Sequence, residues 1–347
     1  MSEDASKPGA DPRDATAGET VRRLIMGFRT TQLVYVAAKL GIADLLEVGP
    51  KEASALASAV GADAGALNRL MRALASLEIF AQRPDGRFEL TPLARTLRSN
   101  APGSLGDLAM LYGDDWVWDA YGKMLHSVMT GLPAFDRVHG QMFYSYLDLH
   151  PDAATAFDRG MTAYSELETA AILGAYDFGS SSNVVDVGGG QGALLMAVLK
   201  AYPRARGVLF DQETVVERVR DVRVRAEVAA RCTIEQGSFF DSIPVGGDVY
   251  ILKSILHNWD DERSLAILKN CRGAMRPGTK LLIVERLVPE GNEPSEAKLF
   301  DINMLVVLGG LERTKKEYWA ILDQAGFDIT RVISTTAPVS ILEAMPR

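Results

Sequence analysis

Cysteine is scarce in this 347-residue chain: the only two are Cys232 and Cys271. They form no CxxC pair, which excludes a disulfide scaffold and a structural zinc site. Reduced thiols in a cytoplasmic setting are the simple expectation. Histidine is also rare, with four residues. His126, His139 and His150 are scattered without ligand spacing, so no metal is expected. Long apolar runs are missing, since none approaches the ~18 residues of a membrane span. Positive charge is in deficit, 37 Lys and Arg against 45 Asp and Glu, a net of −8. Neither duplex nucleic acid nor an anionic membrane is therefore the default partner. Residues 1–18 lack an apolar core and carry mixed charges and two prolines, so they are expected to be a disordered tail and not a signal peptide. At 47% hydrophobic and 24% charged residues the chain has a globular profile. Its length suits about two domains.

Residues 19–176 read as mostly helical. TVRRLIMGFRTTQLVYVAAKLG has apolar residues at helical spacing, with Gly41 as a stop. Asp63 is placed to cap a helix in which Leu67, Leu70, Met71, Leu74 and Leu77 recur every three or four residues. IFAQRPDGRFEL then reads as a hairpin turning at Pro84-Asp85-Gly86. Helix, helix and hairpin in that order suggest a winged helix. Such a unit can bind DNA, but Asp63 and Glu78 cancel Arg69 and Arg72 across residues 63–78. A recognition helix should be a basic footprint, so packing or dimerisation is the preferred role.

Residues 177–347 alternate strand and helix. NVVDVG, RGVLFD, CTIEQ, GDVYILK and TKLLIVERL are short β-branched runs with helical segments between them. That is the pattern of an α/β fold, a doubly wound parallel sheet. Thr314 and Glu317 form a capping box for a helix ending at Gly326, and FDITRVIS with VSILEAM suits a closing antiparallel pair.

The first chemical signal is Gly188-Gly189-Gly190-Gln191-Gly192, between a strand and a helix. Glycines there let the backbone turn tightly and approach a ligand beside a helix N-terminus. Asp211 ends the next strand, where a carboxylate can accept hydrogen bonds from two ribose hydroxyls. Together they point to a nucleoside at the carboxyl edge of the sheet. They do not choose between a nicotinamide and an adenosyl cofactor, because Gly188, Gly190 and Ala193 also fit G-x-G-x-x-A.

Later segments narrow the choice. FDRGMTAYS, VVDVGGGQG, GVLFD, GSFFDSIP, DVYILKSILHNWDDE, LLIVERLVP and MLVVLGGLERTKKEYWAIL follow one another from residue 157 to 322. The chain from about Val21 resembles the S-adenosylmethionine-dependent O-methyltransferases of small-molecule metabolism, which include plant phenolic enzymes and bacterial antibiotic-tailoring enzymes. The resemblance implies a Rossmann-like methyltransferase sheet and an N-terminal winged-helix-like dimerisation domain. It implies S-adenosylmethionine as cofactor, an aromatic small-molecule substrate and a homodimer whose helical domain helps close the partner's pocket. By the same resemblance Gly188 contacts the amino-acid part of the cofactor and Asp211 its ribose. Ser238 and Phe239 flank the adenine, Lys253 lies on that side, and Ser165 reaches the methionine end. His257 is the general base, flanked by Glu285 and Glu312. Trp116, Phe157, Met161, Met304 and Leu308 fall in segments that line the acceptor site. Two positions depart from the common pattern: Ser238 and Asn258 stand where many relatives have Asp.

The chemistry accounts for these residue types. A phenol, with a reference pKa of ~10, is mostly protonated at neutral pH. A neutral imidazole, reference pKa ~6.5, can take that proton as the new bond forms. A carboxylate on its other nitrogen fixes the tautomer. Taken alone, His257 could simply open the helix from Asp260 to Met275, with Asp260-Asp261-Glu262 complementing the helix dipole and not binding magnesium. Arg218, Arg220, Arg223 and Arg225 read as a solvated helix face. The rival functions are the same fold with N-methylation, decarboxylation or hydroxylation, a ligand-sensing winged-helix regulator, and a nicotinamide dehydrogenase.

Overall fold

Short, near-continuous apolar runs in the second half assemble one eight-stranded sheet. A computed structural model describes residues 12–101, 103–216 and 226–347. Contacts divide the chain into two compact units that meet between Asp114 and Asp115.

In the first unit, helices α1 (Pro12–Ile25) and α2 (Gly27–Lys39) lead through α3 (Ile42–Leu45) to α4 (Ala53–Val60) and α5 (Ala64–Ser76). Part of the expected tail, residues 1–11, lies outside the described residues, but residues 12–18 are helical. Pro12 starts that helix where its missing N–H costs nothing, and Glu19 pairs with Arg22 one turn on. Asp63 caps α5 by accepting the Ala66 N–H at 2.7 Å. Leu67, Met71 and Leu74 form its buried stripe, packed with Phe80 and Phe88 of the hairpin strands β1 (Phe80–Gln82) and β2 (Phe88–Leu90). Then come α6 (Pro92–Arg95) and α7 (Gly106–Gly113). The winged-helix order expected from the sequence is present.

The second unit begins with α8 (Asp115–Tyr121), α9 (Met124–Thr130), α10 (Ala134–His139), α11 (Phe143–Leu149) and the long α12 (Pro151–Ala175). The sequence places these with the N-terminal domain; contacts group residues 115–347 together, and Ile172 of α12 with Tyr176 after it enters the core of the sheet.

The strands are β3 (Asn183–Val187), β4 (Arg206–Asp211), β5 (Cys232–Gln236), β6 (Val249–Lys253), β7 (Lys280–Val288), β8 (Arg313–Thr314), β9 (Phe327–Ser334) and β10 (Val339–Pro346). Their order is β5-β4-β3-β6-β7-β10-β9, with β8 paired to β7. The first five pair in parallel, and β10 runs antiparallel between β7 and β9, as the closing pair required. Between the strands lie α13 (Ala193–Ala201), α14 (Ala226–Ala229), α15 (Asp261–Ala274), α16 (Glu296–Asn303) and α17 (Lys315–Gln324). Arg218, Arg220, Arg223 and Arg225 lie outside the described residues.

Side chains alternate across a strand, so each strand feeds two cores. Val185, Tyr250, Leu252, Leu281 and Ile283 join Leu268 of α15 and Leu322 of α17. Val184, Ile251, Leu282 and Val284 join Leu195 and Val198 of α13. Apolar residues on both faces are what a sheet covered by helices on each side demands.

Glu343 on β10 is a buried carboxylate held by Arg331 at 2.7 Å, Thr330 at 2.8 Å, Tyr176 at 2.8 Å and Lys280 at 3.2 Å. Burial alone would raise its pKa, but these donors outweigh burial and hold it at about 2. A carboxylate depressed on folding stabilises the fold above its unfolded pKa, and that contribution fades as pH falls to the folded value. Glu343→Gln should therefore cost about 1–2 kcal/mol at neutral pH, allowing for solvent at Arg331 and Lys280. The difference from the unmodified protein should shrink between pH ~4.5 and ~2. Urea melts across that range check it; a difference independent of pH would refute it.

Candidate active site

The sheet order reverses at β3, which has β4 on one side and β6 on the other. In open α/β sheets the crevice outside the carboxyl ends at such a point is where ligands bind. Four predicted residues lie at strand ends or in the turns that follow them: Gly188 after β3, Asp211 ending β4, Ser238 after β5 and Lys253 ending β6. Gly188, Gly190 and Gly192 all have left-handed φ, at 70°, 57° and 75°. The Gly190 N–H donates to Asp211 Oδ2 at 2.8 Å, and the Gln212 N–H donates to Oδ1 at 2.7 Å. The loop and the carboxylate are thus hydrogen-bonded to each other. A Cβ on Gly188 would lie 2.5 Å from Ile255 Cδ1 and 3.4 Å from Phe239 Cε1, so this backbone closes on the side chains following β5 and β6. The Phe239 ring meets Phe240 and Trp259 edge to face, and Ser238 Oγ accepts the Phe240 N–H at 3.2 Å. A turning glycine loop, an acidic strand end and an aromatic ring converge here, a donor and packing set that suits a nucleoside.

The second feature is a buried imidazole. His257 sits in a 3-10 turn (Leu256–Asn258) after β6. Its Nδ1 is 2.7 Å from Glu312 Oε1 and 3.6 Å from Glu285 Oε2. Glu285 Oε1 accepts the N–H groups of Ile255 and Leu256, each at 3.0 Å. Glu312 is itself placed by its N–H, which donates to Asp301 Oδ1 at 2.8 Å. With Nδ1 engaged, Nε2 has no hydrogen-bond partner among the described residues and is the nitrogen left for chemistry. Burial disfavours the charged imidazole, but the Glu285 charge and the Glu312 hydrogen bond outweigh it, so the His257 pKa is raised. Burial also raises Glu285, against the pull of His257. All three expected residues are therefore together.

The turn is under strain. Ser254, just after β6, has φ 55°, uncommon for a residue with a side chain. Asn258, noted as a departure from the family pattern, donates its Nδ2–H to the Ser254 carbonyl at 3.1 Å. An aspartate could not donate there.

Several partners were not predicted. Arg313 is fully buried and donates to the carbonyls of Leu256 and Trp259, each at 2.9 Å, and to Asp261 at 2.8 Å. It ties the His257 turn to the start of α15. Glu168 on α12 is buried between Arg286 at 2.8 Å and Lys253 at 2.7 Å. The Lys253 ammonium, expected on the adenine side, is thus committed to Glu168. Adjacency to Glu312 was the one sequence signal for Arg313, and adjacency to Glu285 the one for Arg286.

The acceptor-site candidates separate into groups. Trp116 is buried beside Phe135, Phe143 and Tyr146, and Phe157 meets Phe143 and Tyr144 edge to face. Tyr144 also stacks on Trp259 at 6.1 Å, linking this aromatic cluster to the turn after His257. Met304 and Leu308 bracket a π-helical turn directly after α16, a distortion often found at functional sites. Met161 and Ser165 are half-buried one helical turn apart on α12, and the Ser165 carbonyl accepts from the Thr169 hydroxyl.

Known proteins resemble this chain along most of its length. Residues 121–328 match the model of an O-methyltransferase domain, and residues 22–100 match an O-methyltransferase dimerisation domain. A phenazine O-methyltransferase of Lysobacter antibioticus is 43% identical over 93% of this chain and 95% of its own. A phenazine-1-carboxylate N-methyltransferase of Pseudomonas aeruginosa is 34% identical over 91% of this chain and 94% of its own. The solved structure of CalO1, a methyltransferase of calicheamicin biosynthesis in its S-adenosylhomocysteine-bound form, is 34% identical and covers 97% of this chain and 100% of its own, with a TM-score of 0.84. No helix among the described residues is long and apolar enough to cross a membrane. The chain is an enzyme of the O-methyltransferase family, with the catalytic domain and dimerisation domain of that family.

Proposed function

We propose that this enzyme transfers a methyl group from S-adenosylmethionine to a phenolic or enolic hydroxyl of an aromatic or polycyclic metabolite in a bacterial antibiotic or other secondary pathway. The observation that carries the choice of a hydroxyl is the buried His257 with Nδ1 on Glu312 at 2.7 Å. An aromatic amine attacks through its lone pair before losing a proton, whereas a phenol must lose its proton as the bond forms. A positioned base is what the second acceptor needs.

Gly188 and the α13 N-terminus hold the amino-acid end of the cofactor, with Ser165 beside it. Asp211 accepts from the ribose, Ser238 and Phe239 flank the adenine, and Lys253 acts on that side through its pair with Glu168. When bound, the cofactor supplies a methyl group on a cationic sulfur. His257 Nε2 takes the acceptor proton. Glu312 fixes the tautomer, and Glu285 stabilises the imidazolium while holding the turn through its backbone hydrogen bonds. Trp116, Phe157, Met161, Met304 and Leu308 wall the acceptor, and methionine adapts well to flat rings. The working form is a homodimer joined through the first unit, where Val21, Leu24, Ile25 and Phe28 leave an exposed apolar stripe at helical spacing.

Calorimetry with S-adenosylhomocysteine and with NAD, followed by labelled-methyl assays on phenols and aryl amines, tests this reading. S-Adenosylhomocysteine should bind and NAD should not, and Asp211→Ala should weaken binding by about 10–100-fold, the worth of a charged hydrogen bond. Methylation confined to amines, or binding of NAD alone, would overturn it.

A further inference from the structure

Two carboxylates on one buried imidazole pose a problem for a base. Glu312 at 2.7 Å and Glu285 at 3.6 Å both favour the imidazolium, yet an imidazole that already carries the proton cannot accept one. A compensating positive charge lies next door. Arg286 follows Glu285 on β7, and its side chain is 5% exposed. Its guanidinium carbon stands 4.6 Å from the centroid of the Phe300 ring. The same ring lies 6.0 Å from the His257 ring, inclined by 24°. Arg286 and His257 therefore share one aromatic neighbour. Glu168, 3% exposed, grips Arg286 at 2.8 Å and is shared with Lys253 at 2.7 Å.

We propose that Arg286, held in place by Glu168 against Phe300, is a positioning residue of the base, its fixed charge keeping the His257 imidazole in the proton-accepting form at working pH. This rests on the reading of His257 as the base. Among the described residues, the other groups near the imidazole are these. Glu285 of β7 and Glu312 before β8 favour the proton. Asp301 of α16 accepts the Glu312 N–H, and Tyr318 of α17 is a neutral phenol, its pKa raised by burial and by the two glutamates. Arg313, next to Glu312, spends its donors on Asp261, Ser264 and the turn carbonyls. The π-helical turn 304–308 brings no titratable group. Among these charges, Arg286 works against protonation of His257.

The signs follow from charge alone. Removing a positive charge stabilises the imidazolium, and removing a negative one destabilises it. The test is NMR titration of the His257 Cε1–H in histidine-labelled full-length protein, assigned by its loss in His257→Gln, beside the pH profile of kcat. Arg286→Gln should move both midpoints up by about one pH unit, a size set by a unit charge acting across partly buried protein. Arg286→Lys, which keeps the charge, should restore most of the shift. Glu168→Gln should move both midpoints down, and either charge-removing variant decides the matter if the other fails to fold. A folded Arg286→Gln protein with an unmoved NMR midpoint, or shifts of the same sign in both variants, refutes the proposal. The two readings fail separately. If His257→Gln keeps the acid limb of kcat, His257 is not the base. If that limb is lost but Arg286→Gln leaves it in place, only the role of Arg286 falls.

Discussion

His257→Ala should lower kcat for methyl transfer by ~10²–10⁴-fold, the range that a positioned general base contributes. The affinity for S-adenosylhomocysteine should hardly change, because the glycine loop and Asp211, proposed to hold it, are bonded to each other and not to His257. The unmodified enzyme should gain activity with rising pH as His257 loses its proton. The Glu285 charge and the Glu312 hydrogen bond raise that pKa, so the midpoint should lie above the ordinary histidine value of ~6.5. In the alanine variant this limb should vanish. Steady-state kinetics from pH 5.5 to 9.5 check both points, and an alanine variant of full activity would remove His257 from the mechanism.

The second large effect is expected at Gly310. This buried residue crosses the His257 turn so closely that a Cβ would lie 2.0 Å from the His257 carbonyl oxygen and 2.5 Å from the Asn258 carbonyl carbon. Both obstacles are backbone, so no rotamer relieves them, and one of the two segments must move. The Leu311 N–H donates to that same carbonyl at 2.9 Å, and Glu312 reaches Nδ1 two residues after Gly310. Gly310→Ala should cost about 3 kcal/mol or more, the upper range for overpacking. It should also lower kcat by roughly 10²-fold, since a displacement near 1 Å spoils catalytic alignment. Gly273→Ala is the control: that glycine lies exposed on α15 with nothing near its Cβ position and should be neutral or slightly stabilising. Thermal melts and turnover of the two variants, measured together, decide it. Equal behaviour would mean that the crossing yields to a methyl group at little cost.

Much of the scaffold was legible because its signals are local. β-branched runs marked the strands, Pro84-Asp85-Gly86 marked the hairpin turn, and the Thr314–Glu317 capping box is formed with both reciprocal hydrogen bonds. The grouping of His257 with Glu285 and Glu312 was legible through resemblance, since the two glutamates stand 28 and 55 residues after the histidine and no local pattern joins them. Glu168 was not legible at all. It lies on an otherwise ordinary helical stretch, 118 residues before Arg286, and only the tertiary fold reveals that both charges are buried. Arg313 was hidden for the same reason, because an arginine in sequence reads as solvated until its five donors are seen to staple a turn. Residues 12–18 of the expected tail are helical, since mixed charge and proline also suit a first helical turn. Gly310 shows a further limit: a glycine demanded by a close approach, not by its dihedral angles, carries no mark in one sequence.

The most direct measurement is single-turnover methyl transfer to a series of phenols of graded acidity, with the unmodified enzyme beside His257→Gln. If the imidazole removes the proton, the unmodified enzyme should depend only weakly on phenol acidity. The variant should act only on the fraction of acceptor already ionised, its rate rising with pH toward each phenol's own pKa. Identical dependence in both enzymes would mean that orientation alone drives the transfer and that His257 takes no proton.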